Sequence, residues 1–314
     1  MELKKGFGKA TKRGGLASEA KKEALQCFMF LALPIIGFFA LHLYPMLWSM
    51  KWSFFNYNMT PSDTKFIGLG NFKSLFTKDA MYWKSWLNTL QLAALKIPIE
   101  ISLTLFIALI LSQKHIKGKT FFRTFYFLPN IVGVVIYGLV FSNIFTYFGV
   151  ANDWLMKLGL ISEPIDWLKH RSTAFTMLVT SSIWASFGIN VMYFLSALSN
   201  VSEELYESAM LDGANAATRF FKITIPCILP VFSTIILLSI IGTLDANVGV
   251  IVLTGGAPNG GTNTVMSYLT QKFMPGFAGK SPEIGYGSAA SLVTTVMFVI
   301  IGIIHNRLSK AAER

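Results

Sequence analysis

The chain reads as an all-α membrane protein with six transmembrane helices, and three observations predict this. Only 14% of its 314 residues are charged while 53% are hydrophobic, where a soluble domain carries nearer a quarter charged. Uncharged apolar stretches recur at 26–50, 101–113, 124–152, 173–201, 223–244 and 284–305. A bilayer core of about 30 Å needs roughly 20 apolar helical residues. Five stretches supply that directly, and the sixth, opening after Asn88, does so if Lys96 and Glu100 are accommodated within it. Third, basic residues favour one side. The tail, the second and fourth loops and the end hold 16 Lys and Arg, the opposite loops hold 10, and Lys96 lies inside a span. Six spans put both termini on one side, and the positive-inside rule makes that side cytoplasmic.

The net charge of +11 does not point to nucleic acid, because the basic residues are split over many loops with no single face. The opening apolar stretch is longer than a signal-peptide core and no small-x-small site follows it. Cys27 and Cys227 both fall near cytoplasmic span ends, so a structural disulfide is not expected, and neither has metal-ligand company.

The elements follow in order. A basic cytoplasmic tail, 1–25, leads into a transmembrane domain of 26–308 that ends in a short cytoplasmic segment, 309–314. Span one is 26–50, followed by an outer loop rich in aromatics. Span two, 87–113, precedes the basic turn KHIKGK, and span three is 121–147. The outer segment 152–171 alternates Trp154, Leu155, Leu158, Ile161, Trp167 and Leu168 with charges, which suits the membrane surface. Span four is 173–199 and span five 227–253. The exit TGGAPNGGTNT is too rich in Gly and Pro for a regular element and reads as an outer loop. Span six, 284–305, opens with GYGSAASL, whose Gly285 and Ala289 permit close helix contact.

The polar stretch between spans four and five is the most specific. Ser202 before Glu203 and Glu204 suits a helix start, with a cap and acids in the first turn. Gly213 permits a positive φ and ends a first short helix. Residues 214–222 suit a second, and Pro226 the first turn of span five. Two short helices meeting at small residues can fit a groove in another protein. A plain interfacial connector is the bland alternative.

This stretch, ESAMLDGANAATRFFKITIP, resembles the cytoplasmic loop of permease subunits from bacterial ABC importers. Their pattern runs Glu-Ala-Ala, three residues, Gly, nine residues, Ile-x-Leu-Pro. Glu207, Ser208 and Ala209 stand for the first three, Gly213 for the glycine, and Ile223, Ile225 and Pro226 for the end. Ser208 and Ile225 depart from it, both by small changes. Sugar-importer permeases of the maltose and glycerol-phosphate type share more: Phe66-Ile67-Gly68-Leu69-Gly70-Asn71-Phe72, Asn88-Thr89, Arg123 with Phe127-Leu128-Pro129, Trp184 to Leu198, and Gly255-Gly256-Ala257-Pro258. The likeness spans most of 28–305.

What the resemblance implies is the permease of an importer in the bacterial inner membrane. An extracellular binding protein would deliver a sugar to this subunit and a second permease, and two cytosolic ATPases would drive alternating access. The loop would be the coupling helix, with Glu207, Ser208, Ala209, Asp212, Gly213, Ile223 and Pro226 at the ATPase contact. The chain has no Gly-x-x-x-x-Gly-Lys-Ser/Thr loop, so ATP and Mg are expected on the partner ATPases, with no cofactor, metal or catalytic residue in this chain.

Polar groups inside spans are functional candidates. Lys96 and Glu100, four apart on one face, can neutralise each other, as an ion pair or at the substrate. Asp245, with Asn247 and Gly249 nearby, suits a pocket or a structural hydrogen bond. Carrying over the maltose permease's pocket on the loop alignment places sugar contacts at Ser186, Ile189, Ser239 and Thr243, with Asn190 and Trp184 as neighbours. Ile189 replaces an aromatic, which speaks against maltose itself. Two rival readings remain: an ABC permease for a non-sugar solute such as a glycerophosphodiester or peptide, and an ion-coupled secondary transporter, which would need midplane carboxylates but not the loop motif.

Overall fold

A computed structural model describes residues 12–58, 64–113, 115–277 and 283–312. Residues 1–11, with Lys4, Lys5 and Lys9 of the basic tail, fall outside these ranges, as do Lys114 and Arg314. Fourteen α-helices and one two-stranded hairpin are described. Five helical segments are long and apolar enough to cross a membrane: Lys22–Trp52, Ala80–Ser112, Arg171–Ser199, Ala216–Leu244 and Ile284–Ala312. A bent pair, Lys119–Ile131 with Val134–Ile144, makes up to six if counted as one span.

The first span combines α1 (Lys12–Phe38), a π-helical turn (Phe39–Leu43) and α2 (Tyr44–Trp52). No residue of its apolar window is buried, and it meets the bundle mainly where α2 packs on the last helix. Helical structure thus begins inside the predicted tail. Beyond α2, β1 (Phe55–Asn56) pairs antiparallel with β2 (Lys65–Phe66), and α3 (Gly70–Thr77) follows. Asn71, inside the FIGLGNF signature, donates its Nδ2 to the carbonyls of Ser53 (2.9 Å) and Phe55 (3.0 Å). The signature therefore fastens the end of span one.

Span two is α4 (Ala80–Ser112), capped by Asp79, whose side chain accepts from the Tyr82 amide. Span three is not continuous as predicted. It is α5 (Lys119–Ile131) and α6 (Val134–Ile144), bent by 97°. Pro129 removes a helical donor, and Val132 and Gly133 adopt extended backbone. A hydropathy reading sees only an unbroken apolar run. The segment after it carries α7 (Val150–Lys157), and span four is α8 (Arg171–Ser199).

Two short helices follow, α9 (Glu203–Leu211) and α10 (Ala216–Arg219), as the sequence suggests. The second does not end before span five. It runs through a π-helical turn (Phe220–Thr224) into α11 (Ile225–Leu244). Pro226 therefore lies within a continuous helix, and the widened turn before it offers the adjustment that its missing amide demands.

Span five also stops earlier than the predicted 253. The polar run Asp245-Ala246-Asn247 ends α11, and α12 (Val248–Thr254) sets off anew. The carbonyl of Ala246, free at the break, accepts from Thr264 Oγ1. The Gly-rich exit is no free outer loop either. Lys84 and Asn88 bond the carbonyls of Asn259, Gly260 and Asn263. Arg171 bonds that of Gly261. The following α13 (Val265–Phe273) begins with its Val265 amide on Thr89 Oγ1 at 2.9 Å. Enough backbone polarity is satisfied inside the protein to bury this irregular segment. Span six is α14 (Ile284–Ala312), where a side chain at Gly285 would overlap the Phe55 carbonyl, in line with the predicted close contact.

Three apolar clusters hold the bundle. One gathers Ile101, Phe194 and Ile235 between α4, α8 and α11. The second gathers Tyr82, Trp86 and Val265, and the third Leu92, Phe141 and Phe175. On α4 the polar pair Lys96 and Glu100 falls between Leu92 of one cluster and Ile101 of another. A polar layer in the middle of an apolar stack is the feature to explain.

Candidate functional site: a polar cavity between broken spans

A cavity of about 560 Å³ opens at that layer, within the range of small-ligand pockets. Its walls come from α4, α8, α11, the α5–α6 break and the α11–α12 break. All six residues expected at a pocket, Ser186, Ile189, Asn190, Ser239, Thr243 and Asp245, line it. The helical period explains this: Ser186, Ile189 and Asn190 are three and four apart, as are Ser239 and Thr243, so each set shares a face.

Hydrogen bonds join these positions across three helices. Glu100 is fully buried and Lys96 is 5% exposed, and Lys96 Nζ lies 3.5 Å from Glu100 Oε2. The Oε1 of Glu100 accepts from Ser186 Oγ and from Asn190 Nδ2, the latter at 2.8 Å. Asn190 Nδ2 also reaches Ser239 Oγ at 3.4 Å. On the other arm, Lys96 Nζ donates to Thr243 Oγ1 at 3.3 Å, and Thr243 Oγ1 in turn donates to the Ser239 carbonyl at 2.7 Å. The two sequence alternatives for Lys96 and Glu100 thus merge. They form an ion pair, it faces other helices, and Lys96 lines the cavity.

Asp245 differs from this network. Its backbone amide caps α11, donating to the Ile241 and Thr243 carbonyls. Its carboxylate has no hydrogen bond or ion pair among the described residues. Asn247 donates Nδ2 to Thr270 Oγ1 at 2.8 Å, while its Oδ1 is buried without a partner. Asn130, Tyr137, Ser181, Ser182 and Tyr193 complete the polar lining, and the sequence reading did not select them. For Asn130 the available signal was Pro129 with Gly133, which together mark a break that can turn a polar side chain inward. Trp184 does not line the cavity; it packs against Tyr137 and Phe141.

A second feature lies at the end of the bundle bearing α9 and α10. The Ser202 side chain accepts from the Glu204 amide at 3.3 Å, and Gly213 takes φ +78. The amides of Gly213 and Ala214 close onto the carbonyls of Met210 (3.1 Å) and Ala209 (2.8 Å), a left-handed helix stop that glycine tolerates best. Asn215 caps the next turn by accepting from the Thr218 amide at 2.8 Å. Glu207, Ser208, Asp212 and Gly213 are exposed, Ala209 and Ile223 half-buried and Pro226 exposed. Leu211 is 90% exposed and Phe221 68%, so the bend presents apolar side chains outward. Tyr206 Oη meets Thr224 Oγ1 at 2.9 Å, tying α9 to the π-helical turn. A single helical segment, Ala216–Leu244, then runs from this bend to the cavity.

Comparisons with known proteins agree with this architecture. The family described as binding-protein-dependent transport system inner membrane component matches residues 101–314. The chain is 35% identical over 93% of its length, and 92% of the relative, to the probable ABC transporter permease protein YesP of Bacillus subtilis (strain 168). It is 32% identical to the lactose transport system permease protein LacF of Rhizobium radiobacter, covering 88% of this chain and 91% of that one. Among solved structures, a bacterial ABC transporter involved in the import of the acidic polysaccharide alginate superposes with a TM-score of 0.79 at 24% identity, covering 95% of this chain and 99% of that one. That likeness is one of fold.

Proposed function

The chain belongs to the family of inner membrane components of binding-protein-dependent transport systems, and from that premise we propose that it carries a sugar or oligosaccharide. Relatives named for lactose and for arabinooligosaccharides match nearly its full length, which supports a saccharide cargo. The observation that carries the reading is the cavity: carboxylate, amide and hydroxyl groups beside Tyr137 and Tyr193 suit ring hydroxyls and the apolar faces of sugar rings. In this reading Ser186, Ile189, Asn190, Ser239, Thr243 and Asp245 form the substrate wall.

The bend at Gly213 is the coupling helix, facing the cytoplasm with both termini. Leu211 and the small residues around Gly213 enter a groove on one of two partner ATPases, which hold ATP and Mg. A second permease subunit completes the pathway and covers the exposed first span, and an extracellular binding protein delivers the solute. ATPase closure pushes on α9 and α10, and the rod Ala216–Leu244 carries that motion to Ser239, Thr243 and Asp245. This favours ATP-driven import over ion coupling, which has no use for a docking bend.

Reconstitution tests it. Proteoliposomes holding this chain, its partner permease, the ATPases and the binding protein are expected to accumulate labelled sugar only with enclosed ATP. Accumulation driven by a proton or sodium gradient without ATP would contradict the proposal.

A further inference from the structure

We infer that the cavity wall built by this chain admits neutral, polyhydroxylated solutes and discriminates against anionic ones; this rests on the saccharide reading above and narrows it. Two charged side chains line the cavity among the described residues, Lys96 and Asp245. The charge of Lys96 is already matched, because Glu100 lies directly behind it at 3.5 Å. To an approaching anion the pair offers a dipole rather than a free cation. Asp245 has no such partner among the described residues, and its side chain is exposed to the cavity. Counting Glu100, the site carries one net negative charge, and it sits on Asp245 at the cavity surface.

The hydrogen bonds within the wall set which atoms remain for a ligand. Glu100 takes hydrogens from Ser186 and Asn190, so the amide oxygen of Asn190 is what remains for a ligand. Asn247 spends its donor on Thr270 and keeps an unpartnered Oδ1. The Asp245 carboxylate and the Asn190 Oδ1 remain as acceptors, while Asn130, Tyr137, Ser182 and Tyr193 offer amide and hydroxyl donors. Sugar hydroxyls can donate to the first two and accept from the others. A uronate or phosphate adds a like charge facing Asp245. Glu100 acts here as a positioning residue, setting which atoms of Asn190 and Ser186 remain free.

The test uses the assembled transporter in proteoliposomes with enclosed ATP. Lactose, maltotriose and arabinotriose are the neutral probes and trigalacturonate the anionic one, with calorimetry on the binding protein alone for each. The expected result is uptake of a neutral probe that falls at least tenfold in Asp245→Asn, with binding-protein affinity unchanged and the complex assembled in normal amount. Asp245→Glu is expected to regain most of the uptake, which rules out a failure of folding. Trigalacturonate carried as well as the neutral probes, or neutral uptake untouched in Asp245→Asn, overturns the inference while leaving the saccharide reading standing. Binding of no saccharide at all defeats the saccharide reading itself, and this inference with it.

Discussion

The bend at Gly213 and the cavity at Lys96 and Glu100 lie at two ends of one helical rod, yet they are built in opposite ways. The bend is local. Its caps and its glycine act over two to five residues, and Leu211 and Phe221 point away from the protein. The cavity is non-local. Glu100 meets Asn190 and Lys96 meets Thr243 across 90 and 147 positions of sequence, and these four side chains are buried. A surface made to dock can tolerate internal change that leaves its outline intact. A buried polar layer cannot, because removing one member orphans another.

The sharpest way to break this contrast is to orphan Lys96. Glu100→Leu leaves a buried ammonium without its counter-charge and should destabilise the fold by about 3–5 kcal/mol, read as a lowered thermal midpoint of the purified protein in detergent. The paired replacement Lys96→Met with Glu100→Gln should recover most of that loss. Equal melting of Glu100→Leu and the parent protein would show that the layer is not a coupled unit.

A smaller effect is expected where α8 touches the bent span. A side chain at Gly188 would overlap the Tyr126 carbonyl, so Gly188→Val must push α5 away from the cavity wall. Overpacking of this kind costs about 1–3 kcal/mol. The same thermal measurement checks it, and an unshifted midpoint would mean that α5 moves freely.

The smallest belongs to the docking end. Tyr206→Phe deletes the hydroxyl that meets Thr224 and should cost about 0.5–1.5 kcal/mol. If α9 passes its motion to the rod through this contact, solute-stimulated ATP hydrolysis should fall by a few-fold while basal hydrolysis holds. Unchanged stimulation would place the transmission in the backbone alone.

The same division governs what the sequence revealed. Ser202, Gly213 and the two short helices were legible because caps and helix stops are local chemistry. The spans were legible from hydropathy, but their breaks were not: averaging over twenty residues hides Pro129 with Gly133, and Asp245 with Asn247. Those breaks contribute part of the cavity wall, which is why Asn130 and Tyr137 escaped. Ser186, Ile189, Ser239 and Thr243 came from family resemblance, with Asn190 as a neighbour, and helical spacing explains why they converge. Lys96 was legible as a partner of Glu100 from the spacing of four, but the bonds from Ser186 and Asn190 were not, since nothing along the chain says which helix α4 will face.

In the proposed mechanism one rod links a docking bend to a solute cavity. Gly213→Trp probes that link in the complex assembled with both ATPases, the second permease and the binding protein. A bulky residue at φ +78 strains the bend and fills the docking surface, far from Asp245. The account predicts normal membrane insertion, with solute-stimulated ATP hydrolysis and uptake both lost. Stimulated hydrolysis and uptake at the parental rate would contradict it.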